Sequence, residues 1–587
     1  MTSNRTLSFE AVAWAVVLIL AGYLRFQSLG VRALDAAESR EALAAAEGTP
    51  QSSVFWDSER ELAATSPLYH VLTRSIFTIG GSGEAAARII PAVAGFLTVV
   101  MILGLRSTIG RLFAIILALV VSLSPSWVAV SRTAGGTSLA VAAMVAAAFF
   151  ATRAASGRAW AARAAIGICL GLGLASGPAF LSGALGLSVV WIVGRRLATS
   201  SASSLPLPSF SRSEWGDIAL WCVGSAAASA SGLGIVPSGL AVLASGWRSW
   251  LLGWVQPGLL PFGTALLLLV AYEPLATLLG LADALRASRR GDVVGRWLGI
   301  WAAAAVIIFL ARVGRTSEDL LWPLIPLSLA ASRWVRRELM TLDRVASPVV
   351  AAALALVLLV ISGFAYLQMS AYAGGIGPAV DASQPALRLP IVAAAIGVGM
   401  VIVILVGMGW DWMAARAGAM TTVMLVLLAS VVSTAWSLNV SGDPDTEVEL
   451  WRPGQSATGL ARLRKTLQSL AYFETGTRTM PLATRPNLPP DVAWALRGFT
   501  DFIPADVGPE SAPPAILIGE SEPLPALPAE YLGQSVTSEH VWGWEGPWPP
   551  SLVQWWLRRS APIQSTHWVL YVREDIATLT RPEAETP

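Results

Sequence analysis

The chain reads FEAVAWAVVLILAGYLRFQSLGVRALDAAESREALAAAE over residues 9–47. The first half is an apolar run of the length that spans a bilayer, which takes about 20 mostly apolar residues. The second half is polar and carries the carboxyl groups of Asp35 and Glu38. Acidic residues recur up to Glu84, and apolar segments follow. This order predicts a polar loop held between membrane helices, which is where a membrane enzyme places its chemistry.

The composition of the whole chain agrees with this interpretation. Hydrophobic residues make up 54% of the 587 residues and charged residues only 13%, whereas soluble domains carry roughly 25% charged residues. The mean hydropathy is +0.60. A chain this long and apolar is predicted to be a polytopic membrane protein surrounded by lipid. Its net charge of +2 gives no reason to expect a nucleic-acid partner.

Apolar segments predict an all-α membrane region over residues 1–438. We expect about thirteen transmembrane helices, since each needs about 20 mostly apolar residues. The candidate helices begin near Phe9, Ala85, Leu112, Thr137, Trp160, Ala179, Ile218, Leu259, Trp297, Leu320, Val349, Ile391 and Thr421.

Arginine positions predict the orientation, because cytoplasmic loops of membrane proteins are enriched in basic residues. The short loops on one side carry only Arg132, Arg248, Arg312, Arg315 and Arg388. The alternate loops carry 17 arginines: Arg106, Arg111, Arg153, Arg158, Arg163, Arg195, Arg196, Arg212, Arg286, Arg289, Arg290, Arg296, Arg333, Arg336, Arg337, Arg344 and Arg416. We therefore expect a multi-pass protein of the cytoplasmic (inner) membrane with a cytoplasmic N-terminus. The acidic loop over residues 25–84 and everything after Leu438 are then extracytoplasmic.

The tail over residues 439–587 is rich in Pro and Glu and lacks a spanning segment. Residues 456–472 have a helical pattern with leucines on one face. Residues 515–518 and 568–572 are typical of buried strands. The pattern predicts a small α+β domain on the outer membrane face.

Cysteine and histidine usage indicates neither a disulfide framework nor a metal site. Cys169 and Cys222 both lie in apolar segments. His70, His540 and His567 are too scattered for a zinc-binding pattern. We expect no metal and no cofactor.

Several short motifs follow one another in an informative order. They are Ala37-Glu38-Ser39, Ser66-Pro67-Leu68-Tyr69, GGSGEAAARIIPA over residues 80–92, Ser124-Pro125-Ser126, Ser131-Arg132, and Arg315 followed by LWPLIP over residues 321–326. This order resembles the GT-C superfamily of polyprenyl-phosphate-sugar-dependent glycosyltransferases. The likeness is greatest to the protein O-mannosyltransferase and lipid A aminoarabinose transferase branch, similar to glycosyltransferase family 39, and is clearest over residues 9–155.

The tail resembles a narrower group of prokaryotic members that are associated with lipid-linked glycan export and carry a W-Y-L-R-D motif. The corresponding segment is Trp494-Ala495-Leu496-Arg497-Gly498. Trp and Arg match, whereas Ala and Gly replace the motif's Tyr and Asp.

The resemblance implies an integral-membrane glycosyltransferase that moves a sugar from a polyprenyl-phosphate donor to a protein or lipid-linked acceptor. A carboxylate would take the proton of the acceptor hydroxyl, and arginines would bind the departing phosphate. We expect Glu38, Asp57 and Arg88 to line a cavity that opens to the outer leaflet. The candidate bases are Glu38 first and then Asp35 and Asp57, and the candidate substrate-binding residues are Arg88, Arg132, Arg315 and Tyr69.

Two departures from the resembled pattern keep an alternative open. Ala37 stands where the superfamily has the Asp of an Asp-Glu pair, and Ser66 stands where a basic residue often precedes the Pro-Leu-Tyr turn. The alternative is a non-catalytic subunit that keeps the GT-C scaffold and binds a lipid-linked glycan or assembles with membrane partners. A secondary transporter fits less well, because no inverted repeat is apparent.

Overall fold

A computed structural model describes most of the chain and accounts for how its loop and tail meet. The described residues are 9–47, 65–153, 159–197, 210–235, 237, 239–258, 260–374, 384–441, 449–452, 454–485, 488–499, 501–505, 512–522, 529–543, 552–559 and 562–579. Asp57 therefore lies outside the described residues.

Before residue 442, the regular secondary structure of the described residues is helical. The first are α1 (Phe9–Phe26), α2 (Ala36–Glu47), α3 (Pro67–Gly80), α4 (Glu84–Gly104), α5 (Arg106–Ile109), α6 (Arg111–Leu123), α7 (Pro125–Ser131), α8 (Thr137–Arg153), α9 (Ala159–Ala175) and α10 (Ala179–Leu197). The next are α11 (Arg212–Ala230), α12 (Gly239–Leu252), α13 (Phe262–Ala271), α14 (Pro274–Arg290), α15 (Val293–Ala311), α16 (Leu321–Leu342), α17 (Pro348–Gly374), α18 (Gln384–Gly409) and α19 (Trp412–Trp436). A 3-10 turn (Ser317–Leu320) precedes α16, and a π-helical turn (Ser437–Ser441) ends α19.

Long apolar helices confirm the predicted polytopic membrane fold. Among the described residues, six helices are long and apolar enough to cross a membrane, namely α1, α4, α15, α17, α18 and α19. Two bent pairs, α6 with α7 and α13 with α14, raise the number to eight if each pair is one span. Each of the thirteen predicted segments falls on helical residues, although the segment that begins near Leu259 is divided between α13 and α14. The number of them that cross the bilayer stays a prediction.

The two bent pairs break where a proline begins the second helix. Pro125 follows a bend of 66° and Pro274 follows a bend of 89°. Proline lacks the N–H that would continue the first helix, and its ring clashes with the preceding turn. The two breaks meet in the interior: the buried Glu273 carboxylate accepts hydrogen bonds from Ser124 Oγ at 2.5 Å and from the Ser126 N–H at 2.9 Å. Glu273 thereby caps the N-terminus of α7.

The tail folds into a mixed sheet with helices. Its strands are β1 (Gly454–Ser456), β2 (Leu482–Thr484), β3 (Phe502–Pro504), β4 (Ala515–Gly519), β5 (Tyr531–Trp542) and β6 (Ile563–Arg573), in the order β1-β5-β6-β4-β2-β3. Among the described strands, the β2–β3 and β2–β4 pairings are parallel and the other pairings are antiparallel. The accompanying helices are α20 (Gly459–Thr475), α21 (Pro490–Leu496), α22 (Leu552–Arg558) and α23 (Glu574–Leu579).

The sheet region shares an apolar core with the helices around the acidic loop. Leu463 and Leu467 of α20 belong to the same buried cluster as Leu43 of α2 and Phe77 of α3. At the edge of this cluster Arg464 pairs with Glu84 at 2.8 Å. The tail is thus packed directly against the segment that carries the candidate site.

The Trp494-Ala495-Leu496-Arg497 segment forms part of this contact. Arg497 stacks on the Trp494 ring at 3.8 Å and donates a hydrogen bond to the Ser82 carbonyl at 2.9 Å. The Trp494 indole packs against Phe77, with 6.0 Å between ring centroids. Trp494 and Arg497, which both match the motif of the resembled group, therefore hold the tail against α3 and the turn between α3 and α4.

Candidate functional site

Asp35 and Glu38 form a capping box at the start of α2. The Asp35 carboxylate accepts the Glu38 N–H at 2.8 Å, and the Glu38 carboxylate accepts the Asp35 N–H at 3.2 Å. Two backbone donors that a helix start leaves without partners are satisfied in this reciprocal way. The D-x-x-E spacing that permits this arrangement is visible in the sequence.

Glu38 is also held by Arg88 of α4 in a buried, bidentate ion pair. Arg88 donates through Nε to Oε1 at 2.8 Å and through Nη2 to Oε2 at 2.5 Å. Both side chains are only 4% exposed. Arg88 also donates to the carbonyls of Leu29, Arg32 and Ala33. The pair therefore fixes the path of the loop between α1 and α2. The cavity that Glu38, Asp57 and Arg88 are expected to line stays a prediction, because Asp57 lies outside the described residues.

A second backbone donor reaches Glu38 from the segment after α7. The Ala134 N–H donates to Oε1 at 2.8 Å. The neighbouring Arg132 donates to the carbonyls of Leu24 at 2.9 Å and Gln27 at 2.7 Å. Arg132 thus supplies donors to carbonyls that the end of α1 leaves without helical partners. As placed, Arg132 joins α1 to α7, and its predicted contact with a substrate stays a prediction.

Asp35 differs from Glu38 in exposure. It is half-buried, whereas Glu38 is buried. Burial raises the pKa of the Asp35 carboxyl to about 7, and the nearby Glu38 carboxylate adds to the rise. A carboxyl with a pKa near the working pH is well suited to general-base catalysis.

Glu318, in the 3-10 turn before α16, is a further acidic residue at this site. Burial raises its pKa to about 7, and the carboxylates of Asp35, Asp319 and Glu38 raise it further. The Thr137 side chain at the start of α8 is a hydrogen-bond partner of the Glu318 carboxyl. Glu318 was not among the residues predicted from sequence. Its signal was the Glu-Asp pair in a polar loop between two apolar segments.

Arg32 contributes positive charge beside these carboxylates. The carboxylates of Glu38, Glu449 and Asp35 each raise its pKa, but burial and the Arg88 charge outweigh them and lower it. Its Nη1 donates to the Leu438 carbonyl at 3.4 Å. Arg32 therefore lies between the carboxylate cluster and the end of α19. Arg32 was likewise not among the residues predicted from sequence.

Two further residues predicted to bind substrate, Tyr69 and Arg315, make other contacts. Tyr69 is fully buried and its hydroxyl donates to the Ala87 carbonyl at 2.9 Å, which holds α3 against α4.

Arg315 lines a small cavity with Ser182 and Trp322. Its neighbour Arg312 pairs with Asp319 at 2.7 Å. Among the described residues, no carboxylate pairs with Arg315, whose buried Nε has no hydrogen-bond partner.

Comparisons with known proteins place this geometry in context. Residues 64–205 match the family described as dolichyl-phosphate-mannose-protein mannosyltransferase. The apo structure of ArnT from Cupriavidus metallidurans superposes with a TM-score of 0.54 at 15% identity, covering 98% of this chain and 100% of that chain. The structure of the same protein bound to undecaprenyl phosphate gives a TM-score of 0.52 at 15% identity, covering 87% and 94%.

These likenesses confirm the predicted GT-C membrane fold. No protein with a curated function matches the sequence significantly. At 15% identity a shared fold does not by itself transfer an activity, because function resides in the site rather than in the fold.

Proposed function

We propose that the chain is a membrane glycosyltransferase that moves a sugar from a polyprenyl-phosphate donor to a protein or lipid-linked acceptor on the extracytoplasmic side. The observation that carries the proposal is the cluster of Asp35, Glu38 and Glu318 beside Arg32 and Arg88, where the membrane helices meet the tail. The matched fold of ArnT, solved with undecaprenyl phosphate bound, supports a lipid-phosphate donor.

The reaction needs one base and one anion-stabilising group. The acceptor hydroxyl oxygen attacks the anomeric carbon while the bond from that carbon to the phosphate oxygen breaks. The carboxylate of Asp35 takes the hydroxyl proton. The bond electrons leave with the phosphate, and arginine donors stabilise the resulting charge. A lipid monophosphate carries less charge than a nucleotide diphosphate, so the proposed chemistry demands no metal.

Arg315 is the proposed ligand of the donor phosphate. It is buried, its Nε lacks a hydrogen-bond partner, and the nearby Asp319 is already paired with Arg312. Although Arg315 Nη1 donates to the Arg312 carbonyl at 3.0 Å, the unpaired Nε leaves part of the guanidinium group able to bind an anion. Glu38 and Arg88 would instead keep Asp35 in place through the capping box and the buried ion pair.

A transfer assay tests the proposal. Membranes containing the parent protein are expected to move radiolabelled sugar from polyprenyl phosphate to endogenous acceptors, whereas membranes lacking the protein are not. Absence of transfer with several sugar donors would favour a second candidate function, the non-catalytic scaffold. This second candidate is favoured because both oxygens of the Glu38 carboxylate already accept hydrogen bonds, from Arg88 and from two backbone N–H groups.

The transfer rate is expected to rise with pH, with a midpoint of about 7. The raised pKa means that the Asp35 carboxyl holds its proton up to this pH, and only the deprotonated form accepts a proton. The stability effect has the opposite sign: the folded state binds this proton more tightly than the unfolded state, so stability falls as pH rises from about 4 to 7. Rates measured from pH 5 to 9 test the prediction, and a flat profile for a chemistry-limited reaction contradicts it.

The proposed orientation has its own test. A single cysteine introduced as Ser511→Cys into a variant lacking Cys169 and Cys222 is expected to react with a membrane-impermeant maleimide in intact cells, because the tail is proposed to be extracytoplasmic. A matched cysteine at Arg290→Cys, the last residue of α14, is expected to react only after permeabilisation. Reversal of the two labelling patterns would reverse the topology.

A further inference from the structure

The sheet region contains a polar cavity that the proposed transferase chemistry does not use. Its volume is about 300 Å³ and it lies between α20 and β5. Small-molecule sites of proteins begin at roughly this volume. Arg464 of α20, which pairs with Glu84 near the candidate site, does not line this cavity.

Polar side chains dominate the cavity wall, whereas ligand pockets are usually lined mostly by apolar groups. Hydroxyls come from Thr458 and Thr466 of the α20 side and from Ser535 and Thr537 of β5. Gln534 adds an amide on the same strand. A ligand that matches so many hydroxyl and amide groups must itself carry many hydrogen-bonding groups.

The charged and apolar side chains that line the cavity indicate which class of ligand it can bind. Arg462 brings a permanent positive charge to the lining, and no carboxylate lines this cavity among the described residues. The buried side chains of Leu463 and Leu570 form apolar parts of the same wall. The lining therefore suits a molecule with hydroxyls, an apolar C–H face and a negative group.

The sheet geometry beside the cavity adds further hydrogen-bonding capacity. Within the described part of the sheet, β1 pairs with β5 only at residues 539–541. The register of β5 against β6 shifts at a bulge between Thr537 and Glu539. Residues 531–537 of β5 therefore have no strand on their outer edge among the described residues, and such an edge presents backbone donors and acceptors. Bulges of this kind re-aim side chains beside functional sites.

We propose that this cavity binds an acidic saccharide, such as a segment containing a uronic acid, with the acidic group on Arg462. Binding there is separate from sugar transfer at Asp35. The proposal therefore goes beyond the proposed function, and a failed transferase assay leaves it standing.

Calorimetric titration of the full chain in detergent tests the proposal. The probe is a disaccharide of glucuronic acid and N-acetylglucosamine, and its carboxyl-reduced form is the neutral control. Arg462→Gln is expected to weaken binding of the acidic probe about tenfold or more, the usual effect of losing a hydrogen bond to a charged group. The same variant is expected to leave the weaker binding of the neutral form unchanged.

Two further variants locate the site. Ser535→Trp would fill the cavity from an exposed position of β5 and is expected to abolish binding. Lys465→Gln changes an exposed cation of α20 that does not line the cavity and is expected to bind as the parent does. The proposal is overturned if the acidic probe does not bind the parent, or if it binds Arg462→Gln and Ser535→Trp as tightly as the parent. Equal binding of inorganic phosphate would reduce the site to an anion site and also overturn the saccharide assignment.

Discussion

The Asp35→Asn variant is expected to transfer sugar about 10²- to 10⁴-fold more slowly than the parent protein, the range typical of losing a general base. The amide cannot take the acceptor proton. Its oxygen can still accept the Glu38 N–H, because Asn is as good an N-cap residue as Asp. The fold and the Glu38–Arg88 pair should therefore persist, so the rate loss would report on chemistry.

Two matched variants make this result interpretable. Glu318→Gln removes the other carboxyl of the cluster whose pKa is raised to about 7, and it is expected to lower the rate less than Asp35→Asn. Asp575→Asn changes an exposed carboxylate in the tail and should leave the rate unchanged. A parent-like rate for Asp35→Asn, together with a large loss for Glu318→Gln, would transfer the base role to Glu318. Parent-like rates for both would remove both residues from the proposed mechanism.

The sequence was sufficient for the fold class because membrane helices have a strong local signal. Each apolar segment must satisfy its own backbone hydrogen bonds, so its position can be read from composition alone. The buried leucine face of α20 and the buried strands β4 and β6 follow local periodicity in the same way. The match of the tail motif likewise pointed to Trp494 and Arg497. The hydrogen bond from Arg497 to the Ser82 carbonyl could not be predicted, because it joins distant parts of the chain.

The site was less predictable because its contacts join distant parts of the chain. Glu38 and Arg88 were both selected, but their direct pairing depends on how the loop returns to α4. The Ala134 N–H and Glu318 reach the same place only through the arrangement of α7, α8 and α16. The capping box is the exception, since the spacing of Asp35 and Glu38 is local. Residue numbers alone could not show that Glu38 is buried while Asp35 is half-exposed.

Arg88→Met is expected to destabilise the protein by about 3–5 kcal/mol, the range for removing one partner of a buried ion pair. Glu38 would remain as an unpaired charge with only 4% of its side chain exposed. The carbonyls of Leu29, Arg32 and Ala33 would also lose their donor. The free energy of unfolding, measured by denaturant titration in detergent micelles, checks this value.

A second ion pair of the same residue types provides the control. Arg464 and Glu84 also lie 2.8 Å apart, but their side chains are 26% and 20% exposed. Because water screens such a pair, Arg464→Met is expected to cost about 1 kcal/mol or less. The difference between the two arginine variants therefore measures the effect of burial at the site.

The double variant Glu38→Gln with Arg88→Met tests whether Arg88 acts through Glu38. Removing both charges leaves no unpaired carboxylate, so the double variant should be more stable than the sum of the two single losses predicts. The three loop carbonyls would still lack their donor, so full recovery is not expected. Strict additivity would show that Arg88 stabilises the loop through those carbonyls alone. In that case the Glu38–Arg88 ion pair does not position Asp35, and the capping box alone would hold Asp35 in place.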